Sequence, residues 1–173
     1  MNIIKTIFFA LSFFLFNSIY DFQVTDIDGN TISFSDFQGK NILIVNTASQ
    51  SDSVNQYAAL EQLYQSYKDS LIIIAIPSNS FGNETGSDSA IKSFVMANYN
   101  IHYLLLSKMQ VHGDSISPLY QWLTRRSLNN IMDNPADSDF FKYFVDKQGN
   151  LRGVFGPNIP PLDSLIQNLI ISQ

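Results

Sequence analysis

The residues best placed for chemistry lie in residues 46–57, NTASQSDSVNQY. An apolar segment, residues 41–45 (NILIV), runs into this stretch as a predicted strand. Tyr57, Leu60, Leu63, Tyr64 and Tyr67 leave it at helical spacing. Between them stand Ser51, Asp52 and Ser53, residue types that cap helices because their side-chain oxygens accept bonds from orphan backbone N–H groups. A strand-to-helix turn of this kind aims N–H groups and the positive end of the helix dipole at whatever it holds. That is where an ionised nucleophile would be placed, and the residue there is Ser51. A serine nucleophile needs a base within hydrogen-bond reach, and the chain has only two histidines, His102 and His112. It has no cysteine, so it offers neither a thiolate nor a thiol redox couple.

The elements that must position this loop follow in order. Residues 20–25 and 31–34 alternate apolar and polar around Asp28-Gly29, the pattern of a hairpin. Residues 71–76 (LIIIAI) are continuously apolar, as expected of a strand covered on both faces. A Gly/Asn/Ser loop over residues 77–87 leads to a helix over residues 89–99, with Ile91, Phe94 and Val95 inward. A short strand over 104–106, a turn at His112-Gly113-Asp114 and a helix opened by Pro118 come next. Residues 140–145 and 151–155 form a hairpin around Gln148-Gly149-Asn150. Leu162, Leu165, Ile166, Leu169 and Ile170 then predict a closing amphipathic helix. The alternation of strands and helices gives an α/β domain with a central sheet flanked by helices.

The chain has 173 residues, enough for one domain with a proper core. Its 45% hydrophobic and 14% charged residues indicate a globular protein. A net charge of −5 disfavours a nucleic-acid partner. Residues 1–18 differ in kind from the rest. Lys5 precedes an apolar run over residues 7–16, too short for the roughly 20 residues of a comfortable membrane span but suited to a signal-peptide core. The expectation is export to a periplasmic or extracellular location, the segment being either removed or kept as a membrane anchor. The folded domain would then cover residues 20–173.

Asp26-Ile27-Asp28-Gly29, Gly39-Lys40, Asn55-Gln56-Tyr57, Leu60-Glu61 with Leu63-Tyr64, Pro77-Ser78-Asn79, Phe81-Gly82, Ser117-Pro118-Leu119-Tyr120 and Lys142 to Asp146 stand in one order at one set of spacings. Together they resemble the glutathione peroxidase family from Tyr20 onward. The resemblance implies a thioredoxin-like fold with an N-terminal β-hairpin, and an oxidoreductase that reduces hydroperoxides in the response to oxidative stress. It also places the family's reactive cysteine or selenocysteine on Ser51. The glutamine falls on Ser80, and the tryptophan and asparagine on Ser138 and Asp139. The loop cysteine falls on Ser78 and the resolving cysteine on Met96. All four members of the catalytic tetrad are therefore replaced. Serine has no reversible sulfenic-type oxidation state, and a thioether cannot resolve one.

The resemblance also sets His102 and His112 away from the Ser51 loop and brings Asp52 and Asp139 to the old pocket. Two carboxylates there could hold a metal through oxygen or raise one pKa for acid–base work. The plainer reading has Asp52 capping its helix, Asp139 facing solvent and Glu84 as a solvated loop charge. Trp122, the only tryptophan, is expected in the core. No cofactor is implied. The favoured expectation is a pseudoenzyme, a peroxidase-inactive binding or interaction module with a small ligand or protein partner, its site a mildly acidic depression lined by hydroxyl groups. The alternatives are a working peroxidase and a new carboxylate-based activity.

Overall fold

The computed structural model describes residues 18–172. A 3-10 turn over Ile19–Asp21 precedes a two-stranded antiparallel hairpin, β1 (Gln23–Thr25) and β2 (Thr31–Ser33). The central sheet holds β3 (Asn41–Thr47), β4 (Leu71–Pro77), β5 (Leu104–Leu105), β6 (Lys142–Val145) and β7 (Leu151–Phe155) in the order β5-β4-β3-β6-β7. β3 runs parallel to β4 and antiparallel to β6. Its central place explains its composition: every residue of β3 is buried, because helices cover both faces.

Side chains alternate between those two faces. Leu43, Val45, Ile73, Ala75 and Phe144 pack under α1 (Gln56–Tyr67), α2 (Asp88–Tyr99) and α5 (Ser164–Ser172). Ile42, Ile44, Ile74, Ile76, Tyr143 and Val145 pack against α3 (Pro118–Thr124) and the N-terminal residues Ile19, Phe22 and Phe34. Trp122 lies in this second layer, 3% exposed. A short α4 (Arg126–Asn129) follows α3 directly, an element too brief for periodicity to reveal. Ser117 caps α3 by accepting from Tyr120 N, and Pro118 takes the first helical position. Leu165, expected inward on α5, is exposed instead, while Ile166 and Ile170 are buried.

The β6–β7 turn is built around one carboxylate. Asp146 is fully buried and accepts from Gln148 N, Asn150 N and Arg152 Nε. Gly149 in that turn has φ +84°, and a Cβ there would stand 2.7 Å from the Tyr20 ring. Glycine both permits the backbone and leaves room for the N-terminal turn.

The expected export segment lies outside the described residues except for Ser18. That residue belongs to the folded domain: its hydroxyl accepts from Tyr20 N, and its own N–H donates to the Asp21 carboxylate. Among the described residues no helix is long and apolar enough to cross a membrane. The expectation of a membrane-anchored location, with a membrane as partner, is corrected on that finding.

Candidate functional site

Residues 48–55 join the C-terminal end of β3 to α1, and the joint is tighter than a capped helix start. Val54 N donates to Ser51 O, Gln56 N to Ser53 O and Tyr57 N to Val54 O, so successive i→i+3 turns wind the chain into the helix. Asn55 occupies the cap position with helical backbone and makes no side-chain cap bond. The expected cap by Asp52 is absent, and Asp52 is exposed. Backbone turns satisfy the donors that the side chain was expected to take. Ser51 Oγ accepts from Ser53 N at 3.2 Å, and the residue is only 9% exposed.

Asp139 meets this loop from the segment before β6. It is 4% exposed, the opposite of the solvent-facing position expected for it. Its Oδ2 accepts from Asn83 Nδ2 at 2.7 Å. The Ser51 hydroxyl faces the same carboxylate and stabilises its charge. Burial nevertheless pushes the Asp139 carboxyl above its ordinary value, and the hydrogen bonds from Asn83 and Ser51 offset only part of that rise. Oδ1 is buried and makes no hydrogen bond.

The backbone explains how Asp139 is aimed. Phe140 adopts φ +61°, a left-handed conformation uncommon for an aromatic residue. Three contacts hold it there. Phe140 N donates to Asn46 O at 2.6 Å, Asn46 Nδ2 donates to Ser138 O at 2.9 Å, and Lys142 Nζ donates to Phe140 O at 2.8 Å. Lys142 is fully buried, and burial lowers its pKa to about 8.

The loop after β4 supplies the other wall. Gln50 N donates to Asn83 O, and Asn83 in turn reaches Asp139. Glu84 is fully buried, not solvated as expected. Its two oxygens accept from Ser49 N at 2.7 Å and Ser49 Oγ at 2.8 Å, which replaces the hydration a loop carboxylate would otherwise have. Beneath lies Tyr57, fully buried, whose hydroxyl is held protonated by burial and feels the charges of both Glu84 and Asp139. The acids grouped around Tyr57 are therefore Asp139 and Glu84.

The remaining expected residues point elsewhere. Ser80 Oγ donates to Gln110 Oε1 and accepts from Val111 N and His112 N, tying two loops together. The carboxamide at the Asp139 carboxylate belongs to Asn83. Ser138 Oγ donates to Asp137 Oδ1. Ser78 is buried and donates to Ser80, and Met96 lies on the surface of α2. His102 bonds to Glu61, and His112 to Ala136 O, so both histidines are engaged away from Ser51. Among the described residues no group of three His, Cys, Asp or Glu side chains could hold a metal ion. The residues that sequence reasoning missed are Asn83, Glu84, Thr47 and Tyr57. Thr47 and Tyr57 lie within the 46–57 stretch but read as strand and helix core, and Asn83 and Glu84 come from the loop after β4, which the fold sets against them.

The family model for glutathione peroxidase matches residues 19–124, ending before Ser138 and Asp139. The chain belongs to the glutathione peroxidase family. It is 41% identical over 134 residues to a glutathione peroxidase-like peroxiredoxin of Schizosaccharomyces pombe, spanning 76% of this chain and 84% of that protein. It is 34% identical over 146 residues to a glutathione peroxidase of Lactococcus lactis, spanning 83% of this chain and 92% of that one. The fold matches the crystal structure of Trgpx in its apo form with a TM-score of 0.69 at 29% identity, covering 90% of this chain and 94% of that one. The thioredoxin-like architecture with its N-terminal hairpin is that of the family, and this member contains no cysteine.

Proposed function

We propose that this protein is a peroxidase-inactive member of the glutathione peroxidase family that works as a binding module through the loop between β3 and α1. The observation that carries the reading is the absence of any cysteine, with Ser51 at the turn where the family resemblance puts the reactive sulfur or selenium. Attack on a peroxide O–O bond needs a nucleophile that can be oxidised and reduced again. A serine hydroxyl bonded into a turn supplies no such couple.

In this reading Ser51, Ser138 and Asp139 stand at replaced catalytic positions. The sequence resemblance puts the fourth position on Ser80; the geometry favours Asn83, whose carboxamide reaches Asp139 while Ser80 binds Gln110. The partner lost at position 51 is a potential anion, and a carboxylate has been gained at position 139. The relatives are named as peroxidases, and that activity would require a thiol route this chain lacks.

The test is peroxide consumption with thioredoxin-type and glutathione reductants, run on the unmodified protein and on a variant carrying Ser51→Cys, Asn83→Gln, Ser138→Trp and Asp139→Asn. We expect no turnover from the first and measurable turnover from the second. Turnover by the unmodified protein would defeat the reading.

A further inference from the structure

We propose that a cavity at the β5 edge of the sheet binds a small organic cation, an amine carried on an apolar body. The cavity has a volume of about 500 Å³, within the range of sites that take small molecules. It opens beside Ile72 and Ile73 at the start of β4, and none of residues 46–57 lines it. The proposal therefore stands apart from the reading of the Ser51 loop.

The sheet leaves this space because its edge strand is short. β5 pairs only Leu104 and Leu105 with Ile74 and Ala75, so Ile72 and Ile73 have no β5 residue beside them. The chain just before β5 is drawn to α1 instead, where His102 N and ring Nδ1 both bond to the Glu61 carboxylate. The N-terminal hairpin arches over the gap. Ile27 N donates to Leu105 O, Ser107 Oγ donates to Asp26 O, and Lys92 Nζ ties Asp28 of the hairpin turn to α2. Between these supports, apolar side chains stay partly uncovered. Ile72 is the one residue of β4 that is not buried, and Ile32, Phe37 and Leu104, which line the cavity with it, are half-buried. An apolar body set among them would remove that surface from water.

The rim decides the charge of the ligand. Asp26, Asp28 and Asp36 line the cavity, and both oxygens of Asp28 engage Lys92. Asp26 accepts from Asp28 N, Asn30 N and Asn30 Nδ2, neutral donors that keep it ionised without cancelling its charge. Asp36 is exposed and takes part in none of the ion pairs among the described residues. His102 is taken by Glu61. Two uncompensated carboxylates thus face an apolar wall. An ammonium head would meet them while its apolar body lay on Ile72 and Phe37. A carboxylate or phosphate would be repelled, and a bare metal ion would gain nothing from the wall.

Titration of the full-length protein with phenethylamine, followed through backbone amide shifts by NMR, tests the proposal. Neutral phenethyl alcohol and anionic phenylacetate serve as isosteres at matched ionic strength. The expected result is saturable shifts at Ile27, Ile32 and Leu104, with the amine bound about two- to fivefold more tightly than the alcohol, the scale of an exposed charge pair, and the acid weakest. Asp36→Asn should reduce the advantage of the amine over the alcohol, and Ile32→Trp should fill the cavity and abolish the saturable shifts. Asp36 is exposed, so its variant carries the test even if the tryptophan variant does not fold. No saturable shift at these amides, equal affinity for the three compounds, or an unchanged preference for the amine in Asp36→Asn would overturn the proposal. Peroxide turnover by the unmodified protein would instead defeat the proposed function and leave these binding results standing.

Discussion

Asn83 Nδ2 lies 2.7 Å from Asp139 Oδ2, and this bond joins the loop after β4 to the segment before β6 directly beside Ser51. It is the bond that keeps a buried carboxylate tolerable. Asn83→Ala removes the shorter-held donor and leaves the Asp139 carboxylate with the Ser51 hydroxyl alone. We expect a loss of about 1–3 kcal/mol in urea denaturation at neutral pH, the usual cost of an unsatisfied buried group. The same variant should raise the Asp139 pKa further, readable as a later carboxyl transition in an NMR titration.

Asp139→Asn should act in the opposite direction. The folded-state pKa of Asp139 lies above its unfolded value, so the folded state holds the proton more tightly. Its contribution to stability is complete below the unfolded pKa and is lost as pH rises through the folded one. At neutral pH the charged form is therefore a burden, and an uncharged isostere should be more stable than the unmodified chain. The advantage should shrink as pH falls through the carboxylate range. Denaturation midpoints for both proteins across that range read the effect directly, and an advantage that grows on acidification would contradict it.

Lys142 gives the mirror case at alkaline pH. Burial lowers its pKa from the ordinary 10.5 to about 8. Between those values the unfolded chain binds more protons than the folded one, so this group adds stability as pH rises from 8 towards 10.5. The full swing would be about 3 kcal/mol. Buried tyrosines oppose it at the top of the range, so the quantity to measure is the difference between the unmodified protein and Lys142→Met. That difference should move in favour of the unmodified protein as pH rises.

How much of this was legible beforehand differs between fold and site. β3 and β4 announce themselves as apolar runs, and Pro118, Ser117 and Gly149 mark local turns whose chemistry does not depend on distant contacts. Asp52 and Glu84 show where local reasoning stops. Asp52 has the right type for a cap, but tight backbone turns had already satisfied the donors. Glu84 sits in a polar loop and reads as solvated, yet Ser49, 35 positions away, supplies both of its donors. Whether a carboxylate is buried depends on what the tertiary fold sets opposite it.

Glu84→Ala should accordingly be costly. It strips the acceptor from Ser49 N and Ser49 Oγ and empties a fully buried side-chain position, and we expect a loss of roughly 2–4 kcal/mol in chemical denaturation. Glu84→Gln retains one oxygen and should recover about half of it. Equal stability of the alanine variant and the unmodified protein would show that the Ser49 contacts are dispensable.

Gly149→Ala should destabilise through two routes at once, a φ of +84° and a methyl group 2.7 Å from the Tyr20 ring. A loss of about 2 kcal/mol is expected. Proteolytic sensitivity at the N-terminal turn should rise with it, because Tyr20 must move to make room.

The Asn46–Ser138 bond links residues 92 positions apart in sequence. Because Asp139 is aimed only once that bond and its neighbours have formed, the site cannot exist in any partly folded species that lacks the β3–β6 pairing. Contacts spanning so much chain are closed late, after the local helices and the adjacent parallel pair. A refolding chain should thus recover helical signal well before it recovers the protected amide of Phe140. Its competence to bind would then report completed folding, not mere compactness.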